Sequence, residues 1–213
     1  RAFVVPAGSK MIAADYSQVE LRIAAHITKD EGLIAAFRAG EDIHRATAAT
    51  VLGVDVDAVT SDQRSFAKRV NFGLLYGMGA RSLAEQAGIP LKEAKQFVDA
   101  YFARFPGIAA YIQATKQRAK DQGYVETLLG RRRYFGILSS TTTDGRTRML
   151  QAAAEREAIN HPIQGTAADI IKIAMIHIHA TLAAEGLAAR MLLQVHDELV
   201  LEAPEAEVER VVD

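Results

Sequence analysis

Two strand-like runs near the end of the chain are separated by only two residues, and this feature constrains the fold most. The runs are residues 189–195 and 198–203, and His196 and Asp197 join them. Runs joined this tightly are typical of an antiparallel β-hairpin. An Asp in such a turn is ordinary turn chemistry, because its side chain stabilises the turn backbone. However, His196, Asp197 and Glu198 are three consecutive ionisable residues, where Asn-Gly or Asp-Gly would suffice for a turn.

Helical periodicity accounts for most of the remaining chain. One further apolar run, Lys10–Asp15, is typical of a buried strand that ends in an acid. Residues 124–129 and 131–138 suggest a second hairpin around Gly130, followed by a loop rich in serine, threonine and glycine. The predicted helices cover residues 18–52 with breaks at Gly32, Gly40 and Gly53, then 61–77, 80–87, 91–105, 107–122, 147–161 and 165–185, with Pro162 between the last two, and a final helix from Pro204.

Composition excludes several classes of protein. Of the 213 residues, 49% are hydrophobic and 24% are charged, as in an ordinary soluble globular protein rather than a disordered one. The sequence has no cysteine, which excludes disulfides, thiolate metal sites and cysteine nucleophiles. This is compatible with a reducing cytoplasm, where we expect the protein to act. No apolar run approaches the ~20 residues that a membrane span needs, so we expect no membrane partner.

The net charge of −1 gives no sign of nucleic-acid binding, but the charge is unevenly distributed. Three consecutive arginines are followed by two aromatic residues and three further arginines: Arg131–Arg133, Tyr134, Phe135, Arg146, Arg148 and Arg156. Basic residues beside aromatic rings are typical of surfaces that bind nucleic-acid phosphates. A solvated surface loop also explains such a run.

The predicted helix 61–77, with Ser61 or Asp62 as its N-cap, carries an unusual polar face. Two cations and then two aromatic residues follow at intervals of four: Arg64, Lys68, Phe72 and Tyr76. Each interval advances about 40° around an α-helix, so the four side chains share a stripe about 120° wide and about 18 Å long. The residues roughly opposite form the side predicted to face the core: Phe66, Ala67, Val70 and Leu74.

The order of groups along this stripe matches an extended nucleoside triphosphate. The cations lie near the helix N-terminus, where the helix dipole favours anions, and the rings follow where a sugar and base would lie. Gly73 and Gly77 lack side chains, which we expect to let a ligand approach the backbone. The alternative is an amphipathic helix whose Arg and Lys extend to solvent over rings that contact a neighbouring domain.

A second acidic residue, Asp15, ends the first strand-like run. Ser17 and Glu20 match a capping box, in which both side chains satisfy backbone amides at a helix start, but this does not explain Asp15. If Asp15 and Asp197 converge, their carboxylates could hold two Mg²⁺ ions about 3.5–4 Å apart. One ion would activate an attacking hydroxyl and the other would stabilise a leaving pyrophosphate. Oxygen ligands without a thiolate favour Mg²⁺ over zinc.

Three segments resemble the motifs of family A DNA polymerases, the Klenow-type enzymes. Asp15–Arg22 is similar to motif A, Arg64–Gly77 to motif B and Gln194–Leu199 to motif C, in the same order and spacing across nearly the whole chain. The resemblance implies an α+β fold, in which a small antiparallel palm sheet carries the carboxylates and a mostly helical fingers subdomain is inserted. It divides the chain into palm at residues 1–42, fingers at 43–123 and palm again at 124–213.

The resemblance also implies a reaction, template-directed DNA synthesis with two Mg²⁺ ions. Asp15, Asp197 and the backbone carbonyl of Tyr16 would hold the metals, with Glu198 beside them in a supporting catalytic role. Lys68 would bind the triphosphate and donate a proton to the pyrophosphate. The partners would be primer–template DNA and deoxynucleoside triphosphates, and we expect a monomer.

The same matches imply contacts to the substrate and to DNA. Glu20 would block a ribose 2′-hydroxyl, Phe72 would pack on the sugar, and Tyr76 would stack at the template–primer end of the insertion site. The other residues expected to bind the nucleotide are Tyr16, Gln18, Arg64 and His44, which would reach the phosphates. The residues expected to line the primer terminus and the duplex minor groove are Arg156, Asn160, Gln164 and His196.

The chain departs from the family pattern in two ways. Ser65 and Phe66 replace a second arginine and a small residue that many relatives carry, which bears on fidelity rather than on the chemistry. The thumb, the nuclease domains and the end of the palm have no counterpart, and the helix from Pro204 has no C-terminal cap. We therefore expect a fragment that binds DNA weakly and has little or no activity by itself.

Three other functions are compatible with parts of the pattern. A non-catalytic DNA-binding module that kept the polymerase fold would be expected to lose a carboxylate or a cation, and none is lost. A phosphohydrolase of the HD type would use His196 and Asp197, but His177 and His179 are two apart on a helix and point to different faces. An RNA-synthesising relative would be expected to lack Glu20 and to carry Tyr in place of Phe72.

Overall fold

Five strands and nine α-helices form the described part of the chain, residues 4–213, in this computed structural model. The strands are β1 (Ser9–Asp15), β2 (Tyr124–Glu126), β3 (Arg132–Tyr134), β4 (Arg190–Val195) and β5 (Glu198–Pro204). The helices are α1 (Val19–Thr28), α2 (Glu31–Arg38), α3 (Ile43–Leu52), α4 (Ser61–Leu75), α5 (Ala80–Ala87), α6 (Leu91–Arg104), α7 (Pro106–Gln122), α8 (Gly145–Ala184) and α9 (Val208–Val212). The predicted α+β class is confirmed.

These elements divide into two compact units. The first unit holds the described residues up to Glu20 together with Thr166–Asp213, and the second is Leu21–Gly165. The first unit therefore contains both acidic segments, and the second contains helix α4. The predicted palm and fingers boundaries after residues 42 and 123 stay a prediction.

The first unit contains a three-stranded antiparallel sheet in the order β1-β5-β4. The predicted hairpin between β4 and β5 is confirmed, with Val195 paired to Glu198 across the turn. Strand β5 lies in the centre, and its buried Leu199 and Leu201 pack with Ile171 and Leu182 from α8. An apolar strand packed against an apolar helix face is what fixes the register of this sheet.

Strand β1 corrects the expectation of a buried strand. Most of its residues are exposed, including Met11 at 41%, whereas the central strand β5 is mostly buried. The reason is position in the sheet, because β1 is the edge strand of the three-stranded sheet and lies beside β5. Ile12 of β1 packs against the core of this unit.

The second unit is helical apart from the short β2–β3 hairpin. This predicted hairpin is confirmed, but its strands are shorter than expected, because residues 136–139 turn into a 3₁₀-helix. Val125 and Phe135 pack with Ala119 of α7 and with Ala154 and Ala158 of α8. The predicted helices at residues 80–87, 91–105 and 107–122 are confirmed to within one residue at each end.

One buried carboxylate joins two helix starts in this unit. Asp30 is 2% exposed and caps α2, where its Oδ1 accepts a hydrogen bond from the Leu33 N–H at 2.9 Å. Its Oδ2 accepts a second bond from the Gly107 N–H, at the start of α7, at 2.8 Å. A Cβ at residue 107 would lie 2.9 Å from the Asp30 Cα, so glycine permits this close approach.

Pro162 does not separate two helices, as the sequence predicted, and α8 runs through it from Gly145 to Ala184. An internal proline removes one backbone hydrogen bond and costs about 3 kcal/mol. Packing offsets this cost, because Ala158, Ile159 and Ile163 are each 0% exposed and hold the helix on both sides of the proline. The Tyr111 hydroxyl donates to the Ile159 carbonyl at 2.7 Å, and burial raises the pKa of that hydroxyl.

Helix α8 is more apolar than the sequence analysis allowed. It contains an 18-residue window with a mean hydropathy of 1.4, of which 11% is buried, so by length and composition alone it could cross a membrane. Length and composition do not distinguish such a helix from one that packs against protein. In the first unit, its residues Ile171, Met175, Ile178 and Leu182 pack against the sheet.

Candidate active site

The two acidic segments meet at one end of the sheet in the first unit. Asp15 is the last residue of β1 and is paired with Glu198, the first residue of β5. The Tyr16 N–H donates to the Asp197 carbonyl at 3.2 Å, so the backbone immediately after β1 is joined to the turn between β4 and β5. Residues separated by more than 180 positions in the sequence are therefore neighbours, as the sequence analysis required.

The turn that carries Asp197 has a constrained backbone. His196 is exposed and has a φ of 55°, a left-handed conformation that is uncommon for residues other than glycine. The Gln194 side-chain amide donates to the His196 carbonyl at 2.9 Å, which supports this conformation. Left-handed residues are suited to two-residue hairpin turns, because their twist matches the twist of the strands. The turn therefore holds Asp197 and Glu198 at the start of a buried central strand.

The helix after Asp15 begins at Val19, two residues after Ser17, the predicted N-cap. Gln18 has a φ of 55°, outside the helical range near −63°. Glu20 lies in the first turn of α1, and its side chain is half-buried. The capping box between Ser17 and Glu20 stays a prediction.

The donor atoms at this end of the sheet suit magnesium. Asp15, Asp197 and Glu198 offer carboxylate oxygens, and Tyr16 offers a backbone carbonyl, all of them hard ligands of the kind Mg²⁺ prefers. Among residues 4–213, no group of three or more His, Cys, Asp or Glu side chains is already arranged around a metal position.

Helix α4 in the second unit begins with a capping box, although one residue earlier than predicted. Thr60 is the N-cap, with its hydroxyl accepting from the Gln63 N–H at 3.2 Å and the Gln63 side chain accepting from the Thr60 N–H at 2.9 Å. Ala67, Val70 and Leu74 are buried, which confirms the predicted core face. The fourth member, Phe66, is half-buried and packs edge-on against Phe97, with ring centroids 6.4 Å apart.

The opposite face of α4 carries the predicted stripe. Lys68 is exposed, whereas the side chains of Arg64, Phe72 and Tyr76 are half-buried. The Phe72 and Tyr76 rings lie 6.3 Å apart at an interplanar angle of 31°, so they form one apolar surface. Tyr76 is the C-cap of the helix rather than part of its regular turns.

The space beside the two glycines next to these rings is occupied by other side chains of the protein. A Cβ on Gly73 would lie 2.3 Å from Cε of Met78, and a Cβ on Gly77 would lie 2.9 Å from Cδ1 of Ile159. Protein atoms therefore fill the space that the sequence analysis reserved for a ligand. Gly77 also has a φ of 82°, which favours glycine at the end of the helix.

His44 lies beside this stripe and is held by two buried residues that the sequence analysis missed. Asn71 Nδ2 lies 3.0 Å from Nδ1 of His44 and 3.2 Å from Oγ1 of Thr47. The Thr47 hydroxyl donates its own hydrogen to the Ile43 carbonyl at 2.8 Å, so Thr47 must accept from Asn71. The second amide hydrogen of Asn71 then points to His44, so Nδ1 of His44 accepts and its Nε2 carries the proton.

The surroundings of His44 lower the pKa of its ring. Burial is the main cause that lowers the pKa of His44, Asp42 opposes this by raising it, and Arg64 and Lys68 lower it further. The ring contacts Phe72 at a centroid distance of 5.9 Å, and the residue is only 2% exposed. An imidazole with hydrogen on Nε2 is a hydrogen-bond donor at that nitrogen.

Asp42 is a third residue that the sequence analysis missed. It is the N-cap of α3, where its Oδ1 accepts from the His44 N–H at 3.1 Å and the Arg45 N–H at 3.0 Å. Its Oδ2 accepts from Nε of Arg64 at 2.5 Å. Burial raises the pKa of Asp42, but the hydrogen bonds from Arg64 and from the Arg45 backbone outweigh it, and the pKa is lowered overall. An Asp just before a predicted helix was the available signal.

The predicted DNA-binding residues are divided between the two units. Arg156, Asn160 and Gln164 follow one another at intervals of four on α8, and so share one helix face in the second unit. Arg156 and Gln164 are exposed, and Asn160 is half-buried. His196 belongs to the first unit. Their role in DNA binding stays a prediction.

The arginine run of the β2–β3 hairpin makes contacts within the protein. Arg131 donates to the Gly165 carbonyl at 2.8 Å. Arg132 pairs with Glu126 at 3.2 Å and stacks over Tyr124, and Arg133 pairs with Glu157 at 2.6 Å. The latter two arginines keep about half of their side-chain surface exposed, at 50% and 49%. Further along the chain, Arg146 and Arg148 are also exposed.

Comparisons with known proteins agree with these features. The family described as DNA polymerase family A matches residues 1–213. DNA polymerase I of Pseudomonas aeruginosa is 54% identical over 213 residues, which is 100% of this chain and 23% of the relative. DNA polymerase I of Chloroflexus aurantiacus is 53% identical over 209 residues, covering 98% and 22% of the two chains. The thermostable DNA polymerase I of Thermus thermophilus is 50% identical over 211 residues, covering 99% and 24%.

A solved structure extends the similarity to three dimensions. The POL domain of Pol1 from M. smegmatis, in complex with DNA primer-template and dNTP, superposes with a TM-score of 0.92 at 45% identity, covering 99% of this chain and 36% of that one. The chain thus spans about a quarter of the curated relatives. The match extends over both acidic segments and the cationic helix, so the resemblance drawn from the three motifs is confirmed. The chain belongs to DNA polymerase family A.

Proposed function

We propose that this chain supplies the catalytic centre for template-directed DNA synthesis, in which a primer 3′-hydroxyl attacks a deoxynucleoside triphosphate and releases pyrophosphate. The observation that carries the proposal is the junction of the two acidic segments, with Asp15 paired to Glu198 and the Tyr16 N–H bonded to the Asp197 carbonyl. The relatives are named DNA polymerase I, and the similar solved domain holds DNA primer-template and dNTP. Because these relatives are bacterial and the sequence has no cysteine, we expect the protein to act in the cytoplasm.

Asp15 and Asp197, with the Tyr16 carbonyl, are the residues we assign to two Mg²⁺ ions. When bound, such ions lower the pKa of the attacking hydroxyl and stabilise the negative charge of the leaving group. The role of the protein residues is to fix two carboxylates on adjacent backbone segments so that they approach the phosphate from one side. Glu198, at the start of β5, supports this arrangement from the strand paired with Asp15.

The stripe on α4 and the adjacent His44 are assigned to the incoming nucleotide. Arg64 and Lys68 bind the triphosphate, and the neutral His44 donates from Nε2 to a phosphate oxygen. Lys68 is exposed and has no hydrogen bond or ion pair to any described residue, so its ammonium is available to protonate the leaving pyrophosphate. The paired rings of Phe72 and Tyr76 offer an apolar surface for the sugar and base.

Glu20 and Gln18 are assigned to selection of the sugar and to substrate binding. A carboxylate placed against the 2′-position would exclude a ribose hydroxyl, so the preferred substrate would be a deoxynucleotide. Gln18 has a left-handed backbone immediately before α1, and the first turn of that helix carries Glu20. We assign Arg156, Asn160, Gln164 and His196 to the primer terminus and the minor groove of the duplex.

Primer extension by the complete gene product tests the proposal. Asp15→Asn or Asp197→Asn should reduce extension at least about 100-fold, because each removes charge from a metal ligand worth several kcal/mol in the transition state. Primer–template binding should be nearly unchanged. Glu202→Gln is the matched control, since Glu202 lies on the same strand β5 and pairs with Arg190 instead. Extension retained in either Asp variant, or lost in the control, would contradict the assignment.

The isolated chain of 213 residues should be weak or inactive by itself. It spans about a quarter of the length of its relatives. Its net charge of −1 also provides little attraction for a polyanion. Comparing primer extension by the chain and by the complete gene product at equal concentration measures the difference, and equal activity would refute this expectation.

A further inference from the structure

We propose that Asp42 is a positioning residue for triphosphate binding: it holds the Arg64 guanidinium by its Nε edge and leaves the two terminal nitrogens for phosphate oxygens. The inference rests on the proposed function, in which Arg64 binds the triphosphate. It adds a residue outside the three sequence motifs and a physical reason for its position.

The carboxylate of Asp42 is itself fixed in place. Its Oδ1 accepts two backbone N–H groups at the start of α3, from His44 and Arg45, so the side chain cannot rotate without uncapping that helix. Its Oδ2 faces α4 and accepts from Nε of Arg64 at 2.5 Å. One carboxylate therefore joins the start of α3 to the second turn of α4.

This contact uses only one edge of the guanidinium. An arginine has five N–H donors, and the Nε–H accounts for one of them. No described residue pairs with the terminal nitrogens of Arg64, and 37% of its side chain is exposed. The free edge keeps the planar fork that binds two phosphate oxygens at once.

The advantage of the contact is that Arg64 is ordered before the nucleotide arrives. A long side chain that must be immobilised on binding weakens affinity by on the order of 2- to 10-fold. Asp42 removes this loss for Arg64. Lys68, one turn further along, is exposed and has no such partner among the described residues. Arg64 is therefore held in place before the nucleotide binds, whereas Lys68 is not.

Charge alone predicts the opposite effect of Asp42 on nucleotide binding, and this is the competing explanation. A carboxylate beside Arg64 also repels phosphate and reduces the local positive charge. If repulsion dominated, removing the charge of Asp42 would strengthen nucleotide binding. If positioning dominates, removing it weakens nucleotide binding, although the repulsion is relieved.

Asp42→Asn separates these effects in the complete gene product. Asparagine caps a helix as well as aspartate, so α3 keeps its cap, but the amide nitrogen cannot accept from Nε of Arg64. The matched control is Asp55→Asn. Asp55 also caps a helix, the short 3₁₀-helix Val56–Ala58, where its side chain accepts from the Asp57 N–H at 2.9 Å. No cation among the described residues binds Asp55.

The readout is steady-state primer extension with the KM for the deoxynucleotide, the KM for primer–template and kcat measured separately. Asp42→Asn should raise the KM for the deoxynucleotide by on the order of 2- to 10-fold, with kcat and the KM for primer–template unchanged. Asp55→Asn should change none of the three. In an Arg64→Ala background, Asp42→Asn should have no further effect, because it acts through Arg64.

The outcomes distinguish this inference from the function on which it rests. If Arg64→Ala raises the KM for the deoxynucleotide but Asp42→Asn leaves it unchanged or lowers it, positioning by Asp42 is refuted and the role of Arg64 stands. If Asp42→Asn lowers kcat and the thermal midpoint together with affinity for both substrates, Asp42 is structural and the inference fails. If Arg64→Ala has no effect on this KM, the proposed role of Arg64 fails first.

Discussion

The buried amide of Asn71 offers a measurable test of how the structure controls His44. Asn71→Leu removes both hydrogen bonds of the amide, to His44 and to Thr47, and replaces it with a side chain of similar size. Each neutral hydrogen bond contributes about 0.5–1.5 kcal/mol, so losing two costs about 1–3 kcal/mol. Oδ1 of Asn71 is buried without a partner among the described residues, and removing it returns on the order of 1 kcal/mol.

The net expectation is a loss of about 1 kcal/mol in the free energy of unfolding, within a range of about 0–2 kcal/mol, measured by equilibrium urea denaturation. Thr47→Val provides a comparison that keeps the bond between the amide and His44. It removes one bond to the amide and the bond from the Thr47 hydroxyl to the Ile43 carbonyl, so its loss should be of similar size. A stability raised by Asn71→Leu would refute the claim that the amide is held by both partners.

The same variants test the proton position on His44. Nitrogen-15 chemical shifts of the imidazole should report hydrogen on Nε2 in the wild type. Thr47→Val frees the amide to reverse its orientation, so the tautomers should mix. Hydrogen on Nδ1 in the wild type would contradict the derivation from Thr47 and Asn71.

Four further predictions concern nucleotide selection, nucleotide binding and stability. Glu20→Ala should admit ribonucleotides in primer extension, and unchanged discrimination would mean that Glu20 does not select the sugar. Lys68→Ala should lower kcat/KM for the deoxynucleotide by at least about 100-fold if it both binds phosphate and donates a proton, and a wild-type value would refute both roles. Asp30→Ala should destabilise the chain by about 2–4 kcal/mol, since it uncaps α2 and strands a backbone N–H of α7, and a change below about 1 kcal/mol in urea denaturation would contradict this. Because the pKa of Asp42 is lowered by folding, its ion pair with Arg64 stabilises the protein above the ordinary pKa of Asp and is lost as pH falls through the lowered value; Asp42→Asn should therefore flatten acid unfolding in that range.

The sequence predicted those elements whose signals are local. The β4–β5 hairpin followed from a two-residue connection, and α5 followed from periodicity between Gly79 and Gly88. The meeting of Asp15 with Asp197 and Glu198 was predicted through motif chemistry, although no local signal brings β1 beside β5. That pairing joins residues more than 180 positions apart, and Ile12 of β1 packs in the same core as Leu199 and Leu201 of β5.

The errors arose where tertiary contacts override local preference. Pro162 ordinarily ends a helix, but complete burial of Ala158 and Ile163 keeps α8 continuous. Gly73 seemed to leave room for a ligand, but Met78 folds back to fill that space. The spacing of residues in the sequence does not reveal that the Met78 side chain packs against Gly73.

Asp42 and Asn71 were missed for a different reason. Each has an adequate local explanation, Asp42 as a helix cap and Asn71 as one polar residue in a long helix. Their second roles appear only when α3 and α4 pack together and bring His44 and Arg64 within hydrogen-bond distance.

Anomalous diffraction from the complete gene product, crystallised with Mn²⁺, primer–template and an unreactive nucleotide, tests the central claim most directly. The account predicts two metal peaks within about 4 Å of each other, with carboxylate oxygens of both Asp15 and Asp197 as ligands. Metal peaks that contact only one of these residues, or neither, would contradict it.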